Sequence, residues 1–154
     1  MKTNIKRLAI ALVIPLALGG LAALLTASAM GIYSEIVKPV LAPPSIVFPI
    51  VWTILYVLMG ISSYRVFESH CAEREGALTT YAVSLILNVL WPILFFLARA
   101  FWLSFVCILA LDLSVAITLK KYKPCDKIAY YLQIPYLIWV LFATYLNLAI
   151  AIMN

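Results

Sequence analysis

The sequence has little charge: only 11% of its 154 residues are Asp, Glu, Lys or Arg, whereas 66% are hydrophobic. Its mean hydropathy is +1.10, and a water-soluble domain of this size cannot carry so few charged groups on its surface. Lipid offers no hydrogen-bond partners, so a chain that spans it must be helical or form a closed barrel. The apolar runs are too long and unbroken for the alternating strands of a barrel. The composition therefore predicts an all-α integral membrane protein.

Residues that bind metals or form disulfides are also scarce. The chain has one histidine and three cysteines, and an odd number of cysteines without C-x-x-C spacing indicates neither a disulfide framework nor a zinc site. Cys71, Cys107 and Cys125 are therefore expected to be free thiols. His70 stands beside Cys71 in a charged loop without recognised ligand spacing, so no metal site is expected.

Common catalytic and nucleic-acid-binding patterns are missing as well. The sequence contains no G-x-S-x-G, no H-E-x-x-H and no glycine-rich phosphate loop, so conventional hydrolytic and phosphoryl-transfer chemistry has no support. The net charge is +5, but the basic residues stand at the ends of apolar segments instead of clustering with surface aromatics. We therefore expect no nucleic-acid partner.

Five apolar runs are each long enough to cross a bilayer at about 20 residues per crossing. They lie at about 8–32, 46–67, 78–97, 101–119 and 128–153. The whole chain is thus predicted to be one domain, a bundle of five transmembrane helices. Cleavage of a signal peptide at Ala27-Ser28-Ala29 is an alternative that would leave four spans. We favour five, because the first run is longer than a usual signal core and Gly19, Ala23 and Ala27 form a small-residue ridge suited to helix packing.

The basic residues are distributed unevenly between the two ends of the predicted spans. Of the 11 Lys and Arg residues, only Lys38 and Arg99 stand on the side of the first and third loops. The positive-inside rule therefore places the amino terminus in the cytoplasm and the carboxyl terminus outside. The first loop also faces outward, and Pro39, Pro43 and Pro44 deny it a helix and favour a stiff, extended path.

Aromatic, small and amide side chains recur at helical spacing in three of the spans. The stripes are Trp52, Tyr56 and Met59 in the second span, Asn88, Trp91 and Phe95 in the third, and Pro135, Trp139, Ala143, Asn147 and Ala151 in the fifth. Such faces could enclose a flat apolar ligand, for example a planar tetrapyrrole, with Asn88 and Asn147 holding its polar edge. The alternative is that the amides bond neighbouring helices and the tryptophans belong to an interfacial belt.

Short motifs in the first loop and in the same three spans stand in a distinctive order and spacing. They are Lys38-Pro39, Ala42-Pro43-Pro44, Phe48, Val51-Trp52-Thr53, Leu55-Tyr56, Met59-Gly60 and Tyr64, then Tyr81, Leu85, Leu87-Asn88, Trp91 and Phe95-Phe96, then Pro135-Tyr136, Trp139, Ala143 and Leu146-Asn147. This pattern resembles the TspO translocator protein family (TspO/MBR) across nearly the whole chain. Two positions depart from it: Ser84 stands where many relatives have Gln, and Tyr145 lacks the following basic residue of the sterol motif found in animal members.

The resemblance implies a five-helix bundle, commonly a homodimer, in a bacterial cell membrane, with a ligand pocket inside each monomer near the first loop. Family members bind porphyrins, and several bind sterols or synthetic benzodiazepine-type and isoquinoline ligands. No cofactor is then required, and protoporphyrin IX is expected as ligand or substrate. The residues expected to bind it are Trp52, Asn88, Trp139 and Asn147, followed by Tyr33, Tyr56, Phe95 and Ala143.

Several functions are compatible with this pattern. The leading interpretation is a protein that binds tetrapyrroles in order to sense or handle them. The second is an enzyme that degrades protoporphyrin in light, with Trp52 and Trp139 as candidate catalytic residues because an indole can donate an electron to an excited ligand. The third is a porphyrin or sterol transporter, and the fourth is a structural scaffold. Asp112, near the middle of the fourth span, is expected to tie neighbouring helices together rather than to act in catalysis.

Overall fold

The computed structural model describes residues 3–154, and these residues form six helices and no strand. The helices are α1 (Ile5–Thr26), α2 (Ile32–Glu35), α3 (Val47–Glu68), α4 (Arg74–Pro92), α5 (Phe101–Cys125) and α6 (Lys127–Met153). A 3₁₀ turn, Ala27–Ala29, continues α1, and a π-helical segment, Ile93–Leu97, continues α4. All except α2 are long and apolar enough to cross a membrane. The predicted all-α bundle of five transmembrane helices is therefore confirmed.

The five long helices close into a ring. α1 packs on α3, α3 on α6, α6 on α5, α5 on α4, and α4 returns to α1. Large side chains from several helices fill the centre, and Met59, Tyr122 and Tyr136 are fully buried there. The first loop, the α4–α5 connection and the end of α6 meet at one end of the bundle, which we name the loop end. The α3–α4 and α5–α6 connections meet at the other end, the basic end, near which most of the Lys and Arg residues lie.

α1 approaches α3 closely at two glycines. A Cβ on Gly60 would lie 2.8 Å from the carbonyl oxygen of Ala11, so the two backbones are almost in contact. A Cβ on Gly19 would overlap the ring of Tyr56. The predicted packing ridge is wrong beyond Gly19, because Ala23 and Ala27 are exposed and the buried positions of this helix lie elsewhere.

The first loop differs in part from the stiff, extended path that we predicted. Residues 36–46 contain no helix, as expected from the prolines. However, α2 occupies the start of the loop, and the chain then turns twice, where the N–H of Ala42 donates to the carbonyl of Pro39 and the N–H of Val47 donates to that of Pro44. The prolines favour these turns because each has a fixed φ and no N–H of its own. The loop is thus folded into a short helix and two turns and is not extended.

The expectation of three free thiols is wrong. Cys71, in the α3–α4 connection, and Cys125, the last residue of α5, form a disulfide, and their Cα atoms are 5.1 Å apart. Only Cys107 is a free thiol, and it is buried. The pair is 54 positions apart in sequence, so spacing could not reveal it; proximity arises only because the ring brings both connections to the basic end. The disulfide thus joins two connections that are distant in sequence.

A salt bridge beside the disulfide caps the last helix. Asp126 accepts two hydrogen bonds from the guanidinium of Arg65, at 3.0 and 2.8 Å, and one from the backbone N–H of Ala129, at 2.7 Å. Burial alone would raise the pKa of the Asp126 carboxyl, but these donors and the charge of Arg65 outweigh it, so the pKa falls below its ordinary value of 3.8. Asp126 therefore links α3 to the amino terminus of α6 as a carboxylate.

The lowered pKa of Asp126 predicts a pH-dependent contribution to stability. A carboxyl group whose pKa is lower in the folded state stabilises that state fully above pH 3.8, and the contribution is lost as the pH falls through the lowered folded value. We expect Arg65→Gln to reduce the free energy of unfolding by about 1–2 kcal/mol at pH 7. The difference in this free energy between the variant and wild type should shrink as the pH falls below 3.8. Thermal unfolding of wild type and variant, from pH 7 to below pH 3.8, measures this difference. A difference independent of pH would contradict the assignment.

Candidate functional site

One polar centre of the bundle interior lies around Asn88 on α4. The hydroxyl of Tyr56 donates to Asn88 Oδ1 at 2.7 Å, and Asn88 Nδ2 donates to the hydroxyl of Tyr136 at 2.9 Å. Trp52 covers this centre, stacked on Tyr56 with ring centroids 5.5 Å apart and edge-on to Tyr136 at 6.1 Å. Asn88 is only 4% exposed. Three helices thus meet at one amide under an indole.

A second polar centre lies around Asn147 on α6. Asn147 Oδ1 accepts from Trp91 Nε1 at 2.8 Å and from the hydroxyl of Ser104 at 3.0 Å, while its Nδ2 donates to the carbonyl of Phe101 at 2.9 Å. The predicted residue Phe95 packs beside this centre, 5.4 Å from Trp91 between ring centroids. Trp91 lies one helical turn after Asn88 on α4, so the two amide centres are adjacent. Both amides thus hydrogen-bond neighbouring helices, as the alternative to ligand binding predicts.

The first loop reaches toward these centres through a chain of aromatic rings. Phe48 lies edge-on to Tyr33 at 5.3 Å and to Trp139 at 5.9 Å. The hydroxyl of Tyr33 donates to the carbonyl of Pro43 at 2.7 Å, and the ammonium of Lys38 lies 4.8 Å from the Tyr33 ring centroid. Partial burial raises the pKa of the Tyr33 phenol, so its hydroxyl stays protonated and able to donate. The loop is thereby held over the aromatic interior.

Two further contacts fasten the loop to the rest of the loop end. The side chain of Asn154 accepts from the N–H of Val37 at 3.0 Å and donates to the Val37 carbonyl at 2.9 Å. Arg99 lies 3.8 Å from Glu35, and both side chains are well exposed, so this ion pair adds little stability. Together with the contacts of Tyr33, these bonds keep the loop against the bundle.

The structure brings most of the predicted residues together, but the stripe in the fifth span is wrong as a single face. Ala143 and Asn147 are buried, whereas Pro135 is exposed on the outside of the bundle. The interior face of α6 instead includes Tyr136, which the stripe omitted and which hydrogen-bonds with Asn88. Phe48 and Ser104 were also missed as site residues. A helical period of 3.6 counted back from Asn147 identifies Tyr136, because the two are 11 positions, or about three turns, apart.

A groove of about 550 Å³ lies on the outside of the bundle between α3 and α6. Its lining is apolar and includes Ile54 and Leu58 from α3 and Ile138 and Phe142 from α6. Trp139 is the one residue of the predicted site that borders it. Trp139 therefore stands between the groove and the ring of Phe48.

Asp112 forms the tie between helices that we expected. The hydroxyl of Thr144 on α6 donates to Asp112 Oδ2 at 2.7 Å. The other carboxylate oxygen is buried and has no hydrogen-bond partner within residues 3–154. Asp112 thus connects α5 to α6, and it lies outside the two amide centres.

The fold and the site together define a class of protein: an integral membrane bundle of five helices with an aromatic, amide-containing interior below a proline-rich loop. The sequence profile of the TspO/MBR family matches residues 11–153. The chain belongs to the TspO/MBR family, and the resemblance seen in its motifs is confirmed.

Individual relatives agree with this assignment. The chain is 36% identical over 152 residues to the tryptophan-rich protein TspO of Archaeoglobus fulgidus, covering 98% of this chain and 99% of that protein. It is 38% identical over 118 residues to the tryptophan-rich sensory protein of Cereibacter sphaeroides, covering 75% of this chain and 72% of the relative. It is 36% identical over 118 residues to the translocator protein of Homo sapiens, covering 75% and 70%. These similarities extend over most of each chain.

Proposed function

We propose that this protein binds tetrapyrroles such as protoporphyrin IX, and related flat hydrophobic molecules, inside the bundle below the first loop. It senses or handles these molecules at the membrane. The observation that carries the proposal is the aromatic wall of Trp52, Tyr56 and Tyr136 around the amide of Asn88. Flat π-systems stack on such rings, and an amide offers both a donor and an acceptor to the polar edge of a ligand.

Family membership supports the proposal from a second direction. One relative carries the name tryptophan-rich sensory protein, and the present chain has four tryptophans. Trp52 and Trp91 contact interior rings or amides, and Trp139 contacts Phe48 and packs against the buried core. Most of the indoles of the chain are therefore concentrated where a flat ligand would be enclosed.

Ligand binding must displace interactions that are made in this structure. Both amide groups already have protein partners, and Asn147 is only 1% exposed. In a membrane, an interhelical hydrogen bond contributes only about 0.6 kcal/mol on average, so a ligand that offers its own donors and acceptors can replace one. Asn88 is better suited to this exchange than Asn147, whose bonds include a backbone carbonyl.

Titration with protoporphyrin IX tests the proposal. The purified protein in detergent is titrated in darkness while its tryptophan fluorescence and the porphyrin absorbance are recorded. Saturable quenching of the tryptophan fluorescence at one ligand per chain is expected. Quenching that rises linearly without saturation, together with a porphyrin absorbance identical to that in empty detergent micelles, would contradict the proposal. The same samples are then illuminated. Loss of porphyrin absorbance with a defined product, abolished in folded Trp52→Phe and Trp139→Phe variants, would show catalysis at the same site.

A further inference from the structure

We infer that the groove between α3 and α6 is the entrance through which a flat hydrophobic ligand passes from the bilayer to the interior site. This inference rests on the proposed function, because it concerns the same ligand and the same site. The groove has about 550 Å³ of space and lies on the outer surface between two helices long and apolar enough to cross a membrane. Ile54 and Ile138 on its rim are 55% and 63% exposed.

The loop end offers a less direct route. The first loop is fastened by Asn154 to Val37, by Tyr33 to Pro43, and by the ring of Phe48 packed between Tyr33 and Trp139. A ligand that entered from water at this end would have to break these contacts together. The groove needs no bond to break, since apolar side chains line it.

The chemistry of the groove suits a molecule that is already dissolved in lipid. A flat hydrophobic molecule concentrates in the bilayer, and an apolar groove at the protein surface accepts it without desolvating any charged group. The indole Nε1 of Trp139 at the groove is buried, and residues 3–154 supply it with no acceptor. An unpaired buried donor is costly. A ligand with an acceptor at its edge, such as a carboxyl or a ring nitrogen, would give this donor a partner.

Trp139 also connects the groove to the interior. It borders the groove, contacts the ring of Phe48 and packs against the buried core, while the groove residue Val51 directly precedes Trp52 in sequence. A change of the Trp139 side-chain rotamer would open the groove toward the wall formed by Trp52. Trp139 is thus the residue past which the ligand moves.

The kinetics of protoporphyrin IX binding test the entrance. Ile138→Trp places a larger side chain in the groove without replacing a residue of the interior site. We expect association and dissociation both to slow by about tenfold, with the dissociation constant unchanged, because a blocked path alters only the barrier. The matched control is Ile86→Trp, at a similarly exposed position in a groove of about 320 Å³ between α1 and α4. This variant should bind at the wild-type rate.

A variant that loosens the first loop distinguishes entry through the groove from entry at the loop end. Asn154→Ala removes the contact with Val37, so it should accelerate association only if the ligand passes the loop; we expect the wild-type rate. Ile54→Trp blocks the same groove from α3 and serves if Ile138→Trp does not fold. Unchanged rates in both groove variants would overturn the entrance. A larger dissociation constant in the groove variants would instead make the groove the binding site itself. Absence of saturable binding by wild type would overturn the proposed function and, with it, the entrance.

Discussion

Reduction of the Cys71–Cys125 disulfide is expected to lower the free energy of unfolding by up to about 4 kcal/mol, the entropic value for a loop of this length. The bond joins two residues that are 54 positions apart and closes a loop that contains α4 and α5, so it restricts the unfolded chain considerably. It also fixes the α3–α4 connection to the end of α5 in the folded state. Because a chain in detergent retains helices when it unfolds, the measured loss should lie below this limit.

Thermal unfolding in detergent with and without a reductant measures this effect. The double variant Cys71→Ser/Cys125→Ser should unfold at the midpoint of the reduced wild type and should not respond to reductant. Counting of thiols in the denatured protein provides the control: Cys107 alone should react before reduction and all three cysteines after it. The basic residues predict that this end lies in the cytoplasm, where thiols are usually kept reduced. Three reactive thiols in protein isolated without reductant would contradict a native disulfide.

Replacement of Gly60 by alanine is expected to destabilise the bundle by about 1–3 kcal/mol, the usual range for inserting a methyl group into a packed interface. Its Cβ would lie 2.8 Å from the carbonyl oxygen of Ala11 and 2.9 Å from the Cα of Leu12. Both atoms belong to the backbone of α1, so no side-chain rotation can relieve the overlap. α1 and α3 would have to separate along their contact, as happens when small residues are enlarged in membrane helix interfaces.

Gly20→Ala is the matched control for this substitution. Gly20 lies within α1, and a Cβ there would meet no atom within 4 Å. The same change should therefore leave stability unaltered or raise it by about 0.5–1 kcal/mol, because alanine favours a helix over glycine. The midpoints of thermal unfolding of the two variants and wild type give the comparison. Equal midpoints for Gly60→Ala and Gly20→Ala would show that α1 does not pack closely on α3.

The number of membrane spans could be predicted from sequence because long apolar runs need no tertiary information. The helix ends were harder to place. The fourth span was predicted to end near Leu119, but α5 continues to Cys125. Lysines are good helix formers and extend their charged ends toward water, so Lys120 and Lys121 prolong the helix beyond its apolar part. Hydrophobicity marks the membrane and not the end of the hydrogen-bonded helix.

The interior face of α6 shows why spacing alone misplaced part of the site. Residues at every fourth position advance by about 40° per step around a helix of 3.6 residues per turn. Over the four steps from Pro135 to Ala151 the stripe therefore rotates by about 160°, nearly half a turn. Its first member is exposed and its last is buried. Tyr136 was omitted for the same reason, although its side chain lies at the centre of the bundle.

The partners of individual side chains depended on distances that no linear pattern contains. Sequence could identify Asn88 and Asn147 as amides facing other helices, but not that Tyr56 or Trp91 would bond them. The pairing of Cys71 was hidden for the same reason. These contacts arise from the ring order of the helices, which brings α4 beside both α1 and α5.

The position of the ligand is tested most directly by the affinity for protoporphyrin IX of two folded tryptophan variants. Trp52→Phe changes an indole that stacks on Tyr56 beside Asn88 and does not line the groove, whereas Trp102→Phe changes an indole that is 58% exposed on the outer face of α5. We expect Trp52→Phe to raise the dissociation constant by about tenfold, equivalent to roughly 1.4 kcal/mol of lost stacking. Trp102→Phe should bind as tightly as wild type. Equal affinities for both variants, or a loss with Trp102→Phe alone, would place the ligand outside the bundle interior.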